Sequence, residues 1–215
     1  MKNATLYNAY HAVRTIAGNV LFPPYCVLCH ASVDAASTLC SDCFVALRMI
    51  SHPLCHKCGQ PFPYVMDLVN EPCGTCELSP PLYDAARAVW CYDDTSAGLV
   101  KKLKYADQTR LAPYLAGIIR GQGAELLERA TILAPVPLHP KRIRHRRYNQ
   151  SMLLAKEIAA GMKSCNVERG GSCLLIPDLL QRTRHTKPQT TLTYDARHRN
   201  VEGVFQLHPR HMQVT

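Results

Sequence analysis

Residues 26–43 read CVLCHASVDAASTLCSDC and residues 55–76 read CHKCGQPFPYVMDLVNEPCGTC. Together they carry four Cys-x-x-Cys pairs: Cys26/Cys29, Cys40/Cys43, Cys55/Cys58 and Cys73/Cys76. A Cys-x-x-Cys turn places two sulfurs on one side of a tight hairpin, and two such turns close a four-thiolate cage around Zn²⁺. One pair alone reads equally well as a redox motif. Four pairs, separated by 10, 11 and 14 residues, predict a double zinc ribbon with two structural Zn²⁺ ions. Either the pairs join in sequence order, Cys26, Cys29, Cys40 and Cys43 on one ion and Cys55, Cys58, Cys73 and Cys76 on the other, or they cross-brace, first with third and second with fourth. Eight thiolates leave no open coordination position, so neither metal is expected to be catalytic. Cys91, Cys165 and Cys173 lie outside the pairs and read as ordinary thiols.

Outward from the cysteines, three zones follow. Leu6, Tyr10, Val13, Ile16 and Val20 recur at helical spacing and make residues 1–25 a leading amphipathic helix that ends at Pro23–Pro24 and packs on the rest of the chain. Residues 26–78 are the ribbon, with Gly59 and Gly74 where the knuckle turns favour positive φ. Pro80–Pro81 then lead into residues 82–215. No apolar run approaches the roughly 18–20 residues of a bilayer span. The N-terminus lacks the compact apolar core of a secretory signal. With thiols kept reduced for metal, the expected compartment is cytoplasmic.

In the third zone strands and helices alternate. Ala86–Tyr92 (ARAVWCY) reads as a buried strand, Thr95 or Ser96 caps a helix to about Tyr105, and Leu111–Leu127 continues helically within limits set by Pro113 and Gly121–Gly123. Thr131–Val136 is a second strand, Asn149–Met162 a helix, Leu179–Arg182 a short strand, Leu192–Arg199 a helical turn and Gly203–Leu207 a last strand. This alternation predicts an α/β fold with a mostly parallel sheet.

Charge is segregated. Residues 1–100 hold five Lys/Arg against eight Asp/Glu, whereas residues 101–215 hold twenty against eight, within a total of +9. Two filled four-thiolate sites make the ribbon more negative still, so it is a poor candidate for polyanions. The basic half is the expected phosphate or nucleic-acid surface. Its densest part, PVPLHPKRIRHRRYNQ (135–150), runs from a strand through Lys141, Arg142, Arg144, Arg146 and Arg147 to Asn149 and Gln150 at a helix start. Strand ends and helix N-termini are where α/β folds take anions, and guanidinium forks add bidentate contacts. A second basic segment, 182–200, includes Arg182, Arg184, Gln189, Arg197 and Asn200 and reads as a loop leading to a short helix. Tyr105, Tyr148 and Tyr194 lie near these cations in sequence and are candidates for base stacking, beside an ordinary packing role.

With the cysteine pairs, the stretches LKYADQTRLAPYLAGII (103–119), PVPLHPKRIRHRRYNQSMLLA (135–155) and LLQRTRHTKPQTTLTYDARHRNVEGVF (179–205) resemble the ComF family of competence-related proteins. The likeness is sharpest at Arg182, Thr186, Gln189, Leu192, Arg197, Asn200 and Phe205. It implies an N-terminal double zinc ribbon joined to a type I phosphoribosyltransferase-like domain, a parallel sheet with flanking helices. It also implies a role in handling single-stranded DNA in natural transformation or DNA utilisation, with a competence helicase or other DNA-processing protein as a possible partner. The family's ligand chemistry is phosphoribosyl pyrophosphate with Mg²⁺. By position, 137–150 would be the pyrophosphate-side loop and 182–200 a hood. Where the family often has Arg-Gly-Phe-Asn-Gln, this sequence has Arg146-Arg147-Tyr148-Asn149-Gln150.

Family members continue into an apolar strand, two acids and a Thr-Thr-Gly-x-Thr loop, which this sequence does not reach by Thr215. The Asp93-Asp94-Thr95 run reads instead as a helix N-terminus. The expectation is therefore an incomplete phosphoribosyltransferase-like domain, a truncated product or gene fragment, with no catalytic residue and no phosphoribosyl transfer. Three functions compete: a DNA-handling protein with a basic phosphate-binding face, a phosphoribosyltransferase, and a ribbon that docks a protein partner.

Overall fold

A computed structural model describes residues 23–63, 71–105, 108–165 and 173–212. The leading helix expected over 1–25 lies, but for its last residues, outside them. The described residues up to Met49, with Trp90–Lys101, form one compact unit. Ile50–Val89, with those from Lys102 onward, form another.

The first unit is built on the first two cysteine pairs. A tight turn closes where the Cys26 N–H donates to the Ala31 carbonyl at 2.7 Å and the His30 N–H to the Cys26 carbonyl at 3.0 Å, with His30 left-handed at φ 64°. Helix α1, Ser41–Ala46, starts at Cys40, whose Sγ accepts from the Cys43 N–H. Helix α3, Asp94–Tyr105, begins in this unit. Its N-terminus is a reciprocal cap: Asp93 Oδ1 accepts from the Ser96 N–H and Ser96 Oγ accepts from the Asp93 N–H, each at 2.9 Å. Thus Asp93 caps the helix, rather than Thr95 or Ser96, because its carboxylate reaches the third N–H of the helix. Arg48 lies 3.3 Å from the same carboxylate. The Ser96 backbone and then Arg48 hold Asp93 below the usual carboxylate range, against the opposing effect of burial. Val27, Leu39, Leu47, Ala97 and Leu99 are the buried apolar side chains.

The second unit joins the other two cysteine pairs to the helical part of the chain. Helix α2, Gly74–Leu78, starts directly after Cys73. Gly59 is left-handed at φ 72°, and a Cβ there would stand 2.7 Å from the Ala86 carbonyl oxygen, so the turn admits no side chain. Arg87 donates from Nη1 to the carbonyls of His56 and Ala86, and from Nη2 to Glu125 at 3.0 Å. These contacts explain why Ala86–Tyr92 is not the expected strand. Its backbone is spent on ribbon residues, with Ala86 N–H donating to Lys57 and Val89 accepting from Ile50. Only an isolated bridge, Met49 with Trp90, remains of the strand pattern.

The helical expectation over 111–127 resolves into α4, Leu111–Gln122, and α5, Ala124–Arg129, hinged at Gly123. Pro113 sits in the first turn of α4, where its missing N–H would have no partner in any case. Helix α7, Gln150–Cys165, packs on α4. Leu111, Ala112, Leu115 and Ala116 meet Ala155, Ile158 and Ala159, all buried. Four alanines let the axes approach closely, and the larger side chains fill between them. The Arg120 guanidinium lies against Gly161, where a Cβ would collide with it.

Sheet structure is sparser than the alternating pattern predicts. Strand β1, Ile132–Leu133, pairs in parallel with β2, Leu174–Leu175. Strand β3, Leu180–Arg182, pairs antiparallel with β4, Phe205–Leu207. Among the described residues the parallel sheet is therefore one pair, and the last strand belongs to a hairpin instead. Pro135 and Pro137 explain the shortness of β1, since neither donates to a ladder.

The basic segment also changes character. The segment expected as a loop between a strand and a helix start contains helix α6, Pro140–Arg146, with His139 capping the Lys141 N–H and Pro140 at its first position. Arg147 closes it in the left-handed conformation. Helix α8, Tyr194–Val201, starts two residues later than its pattern suggests.

Leu111→Ala removes a fully buried side chain from the α4–α7 seam and should cost about 3 kcal/mol. Urea unfolding of the zinc-loaded protein checks this, with Ile143→Ala, at an exposed position on α6, as the near-neutral control.

Candidate metal centres and basic face

The eight paired cysteines fall into two clusters, Cys26/Cys29/Cys40/Cys43 and Cys55/Cys58/Cys73/Cys76, with the sulfurs of each within 4.8 Å of one another. The pairing is sequential; the cross-braced alternative does not occur. Four sulfurs at Zn–S distances of about 2.3 Å in a tetrahedron stand about 3.8 Å apart. Cys29 and Cys40 are 3.5 Å apart and Cys58 and Cys73 are 3.7 Å apart, so both clusters fit that ion. Backbone N–H groups already point at the sulfurs: Ala31 at Cys29, Cys43 at Cys40, and both Cys58 and Cys73 at Cys55. Such donors stabilise thiolate over thiol.

Ionisation within each cluster is uneven. Burial opposes the Cys26 thiolate, but N–H donation from Cys29, Cys40 and Leu28 outweighs it and brings the group down to about 6. Cys55 is drawn down to about 6 in the same way, by Cys58, Cys73 and Lys57 against burial. Burial and the neighbouring sulfurs push Cys76 up to about 12 and raise Cys43 strongly. Each cluster thus ionises one thiol readily and resists the next, because adjacent negative sulfurs repel. A divalent cation at the centre removes that conflict.

The basic face is assembled in the second unit from α6 and residues 182–204. Arg142 Nη2 donates to the Thr186 carbonyl at 2.8 Å, and Arg182 Nη2 donates to the Thr186 hydroxyl. Thr186 is itself buried, so it ties the two basic segments together. His139 and His185 meet edge to face with centroids 5.3 Å apart. Burial first, then His185, Lys141, Arg182 and Arg142, hold the His139 imidazole below its ordinary range. Neither histidine was singled out in the sequence. The signal for them was only their position inside the two basic runs.

The expected phosphate ligands divide into two groups. Most hold the chain to itself. Arg197 Nε donates to the carbonyls of Gln189 and Leu192 at 3.0 and 3.1 Å. Asn200 Nδ2 donates to Gln189 Oε1 and to the Lys187 carbonyl. Arg184 donates to the Glu202 carbonyl. Arg182 also stacks on Phe205 at 5.2 Å. Asn149 caps α7 by accepting from the Ser151 N–H and donates to Val136, while the Gln150 Oε1 is buried without a hydrogen-bond partner. Arg146 lies over Tyr105 at 4.7 Å and donates to its hydroxyl. Lys141 and Arg144, three residues apart on α6, are exposed together on its outer side. Arg147 is exposed too.

Residues 17–77 match the double zinc ribbon domain, which defines the class of protein that the cysteine clusters indicate. Beyond the ribbon, the similarity to competence protein F and DNA utilization protein YhgH extends over most of the chain. It is 24% identical over 188 residues to "Competence protein F" of Haemophilus influenzae, covering 85% of this chain and 76% of that one. It is 28% identical over 194 residues to "DNA utilization protein YhgH" of Salmonella typhimurium, covering 86% and 78%. It is 27% identical over 205 residues to the Escherichia coli K12 protein of the same name, covering 89% and 83%. No solved structure matches. No described helix is long and apolar enough to cross a membrane.

Elemental analysis should find two zinc ions per chain and one after Cys58→Ser or Cys29→Ser. Zinc should stay bound at pH 7 and be released on acidification, as protons compete with the metal for the four thiolates of each cluster. The sign follows from the ligand form: zinc binds the deprotonated sulfurs, so binding releases protons and added protons release the metal.

Proposed function

We propose that the chain is a DNA-handling protein of the competence type that holds the backbone of single-stranded DNA on the basic face of α6 and residues 182–204. The observation that carries this reading is the joining of two separate basic segments through Thr186, which concentrates Lys141, Arg142, Arg144, Arg182 and the His139–His185 pair in one region. The printed names of the relatives, a competence protein and a DNA utilization protein, support it. In each ribbon half one Zn²⁺ serves as a structural clamp; the metal supplies cohesion there and no chemistry, since all four positions are protein sulfurs. Arg142, Arg182, Gln189, Arg197 and Asn200 keep the face in shape. Lys141 and Arg144 supply charge to the phosphates. A helicase or other DNA-processing protein docked on the ribbon, and a cytoplasmic location, are consistent with this role.

A second reading, a phosphoribosyltransferase-like domain that binds phosphoribosyl pyrophosphate with Mg²⁺, draws on one observation. The parallel β1–β2 pair leads from its carboxyl end into His139 and the cations of α6, the place where α/β folds take anions.

The readings separate on one double variant. Lys141→Glu with Arg144→Glu should abolish binding of a fluorescent single-stranded oligonucleotide in 0.1 M salt. The wild-type affinity should fall steeply with added salt, because phosphate contacts release counterions. Unchanged affinity in the double variant would remove the basic face from the role. Calorimetry of the wild type with phosphoribosyl pyrophosphate and Mg²⁺ tests the second reading, and no heat at saturating ligand counts against it.

A further inference from the structure

We propose that Tyr194, braced by His198, is a stacking platform for an unpaired nucleobase, so that the basic face recognises single strands by their bases as well as by their phosphates. The proposal rests on the reading of that face as a seat for a nucleic-acid backbone. The three tyrosines near the cations in sequence prove to have different surroundings. The Tyr148 hydroxyl donates to the Leu103 carbonyl at 2.7 Å, and the residue is half-buried. Tyr105 carries the Arg146 guanidinium over its ring and accepts from it at the hydroxyl. Tyr194 stands 75% exposed at the first position of α8. Its ring meets that of His198, one helical turn on, in a T-shaped contact with centroids 4.8 Å apart and planes at 63°. That contact restrains the ring while three quarters of the residue stays exposed, which is what a platform requires.

The surroundings favour a base from a polyanion over an apolar protein partner. Arg197, the nearest cation in sequence on that side of α8, is turned back onto the carbonyls of Gln189 and Leu192 and anchors the helix to the 182–192 segment. Asn200 repeats the anchor through Gln189 and Lys187. The same segment reaches α6 through Thr186 and Arg142. Tyr194 is thus carried on a helix clasped to the cationic cluster, with Arg199 exposed on α8 and Lys187 in the loop before it. Asp195 and Glu202 are the acidic groups of the same stretch, and they leave its balance positive. A duplex keeps its bases stacked on each other. A single strand offers a π-face to any exposed ring, and each such stack is sequence-tolerant.

The test uses the full zinc-loaded chain and fluorescence polarisation with a short oligothymidylate and an abasic oligomer of the same length. Tyr194→Ala should bind oligothymidylate about tenfold more weakly, with an unchanged slope of affinity against salt. Tyr194→Trp should restore binding. On the abasic oligomer, wild type and Tyr194→Ala should be equal. Affinity for oligothymidylate within twofold of wild type, or an equal loss on the abasic oligomer, would overturn the platform. Failure of the wild type to bind either oligomer would instead remove the basic-face reading, and the platform with it.

Discussion

Four sulfurs brought within 4.8 Å of each other do not form a stable cluster unaided. The thiols can neither all ionise nor pack as a hydrophobic core, and the uneven acidities of Cys26 and Cys43 express that conflict. Both clusters fit a zinc ion, which would resolve it and set the path of the chain. The two short ribbon helices, Ser41–Ala46 and Gly74–Leu78, each start at a ligand cysteine. Residues 23–63 otherwise have isolated bridges and turns in place of a ladder. With so little other regular structure, metal binding and folding would be one event in this part of the chain.

The rest of the second unit is organised differently, by apolar burial between α4 and α7. Among the described residues, the buried side chains of the two helices are all apolar. The basic face is held by a third device, a set of side-chain hydrogen bonds to backbone carbonyls around Thr186, Gln189 and Asn200. Arginines spent in this way cost affinity for phosphate but fix the geometry in which the exposed cations are presented. Arg142 and Arg146 face inward on α6 while Lys141 and Arg144 face out, a split that follows from 3.6 residues per turn.

Much of this was legible in the sequence. The cysteine spacing gave both clusters, leaving only the pairing open, and geometry closes it in sequence order. Helix α7 and strand β3 lie nearly where their apolar spacing puts them. The errors have specific causes. Residues 86–92 have the composition of a strand, but Arg87 is drawn to His56 and Glu125, a long-range contact that local pattern cannot reveal. Pro135, with Pro137 just beyond, cuts short the strand that the apolar side chains of residues 131–136 suggest. The helix at 140–146 was hidden because the five cations of residues 141–147 look like a loop, although His139 and Pro140 are a good helix start. Counting charges also could not tell an arginine that binds a carbonyl from one that faces water.

Photo-crosslinking of the zinc-loaded chain to a single-stranded oligonucleotide, followed by peptide mass spectrometry, locates the bound strand without any substitution. The account predicts crosslinks concentrated in peptides spanning residues 139–148 and 187–202. Crosslinks confined to the ribbon, residues 23–63 and 71–78, with none in those two basic peptides, would contradict it.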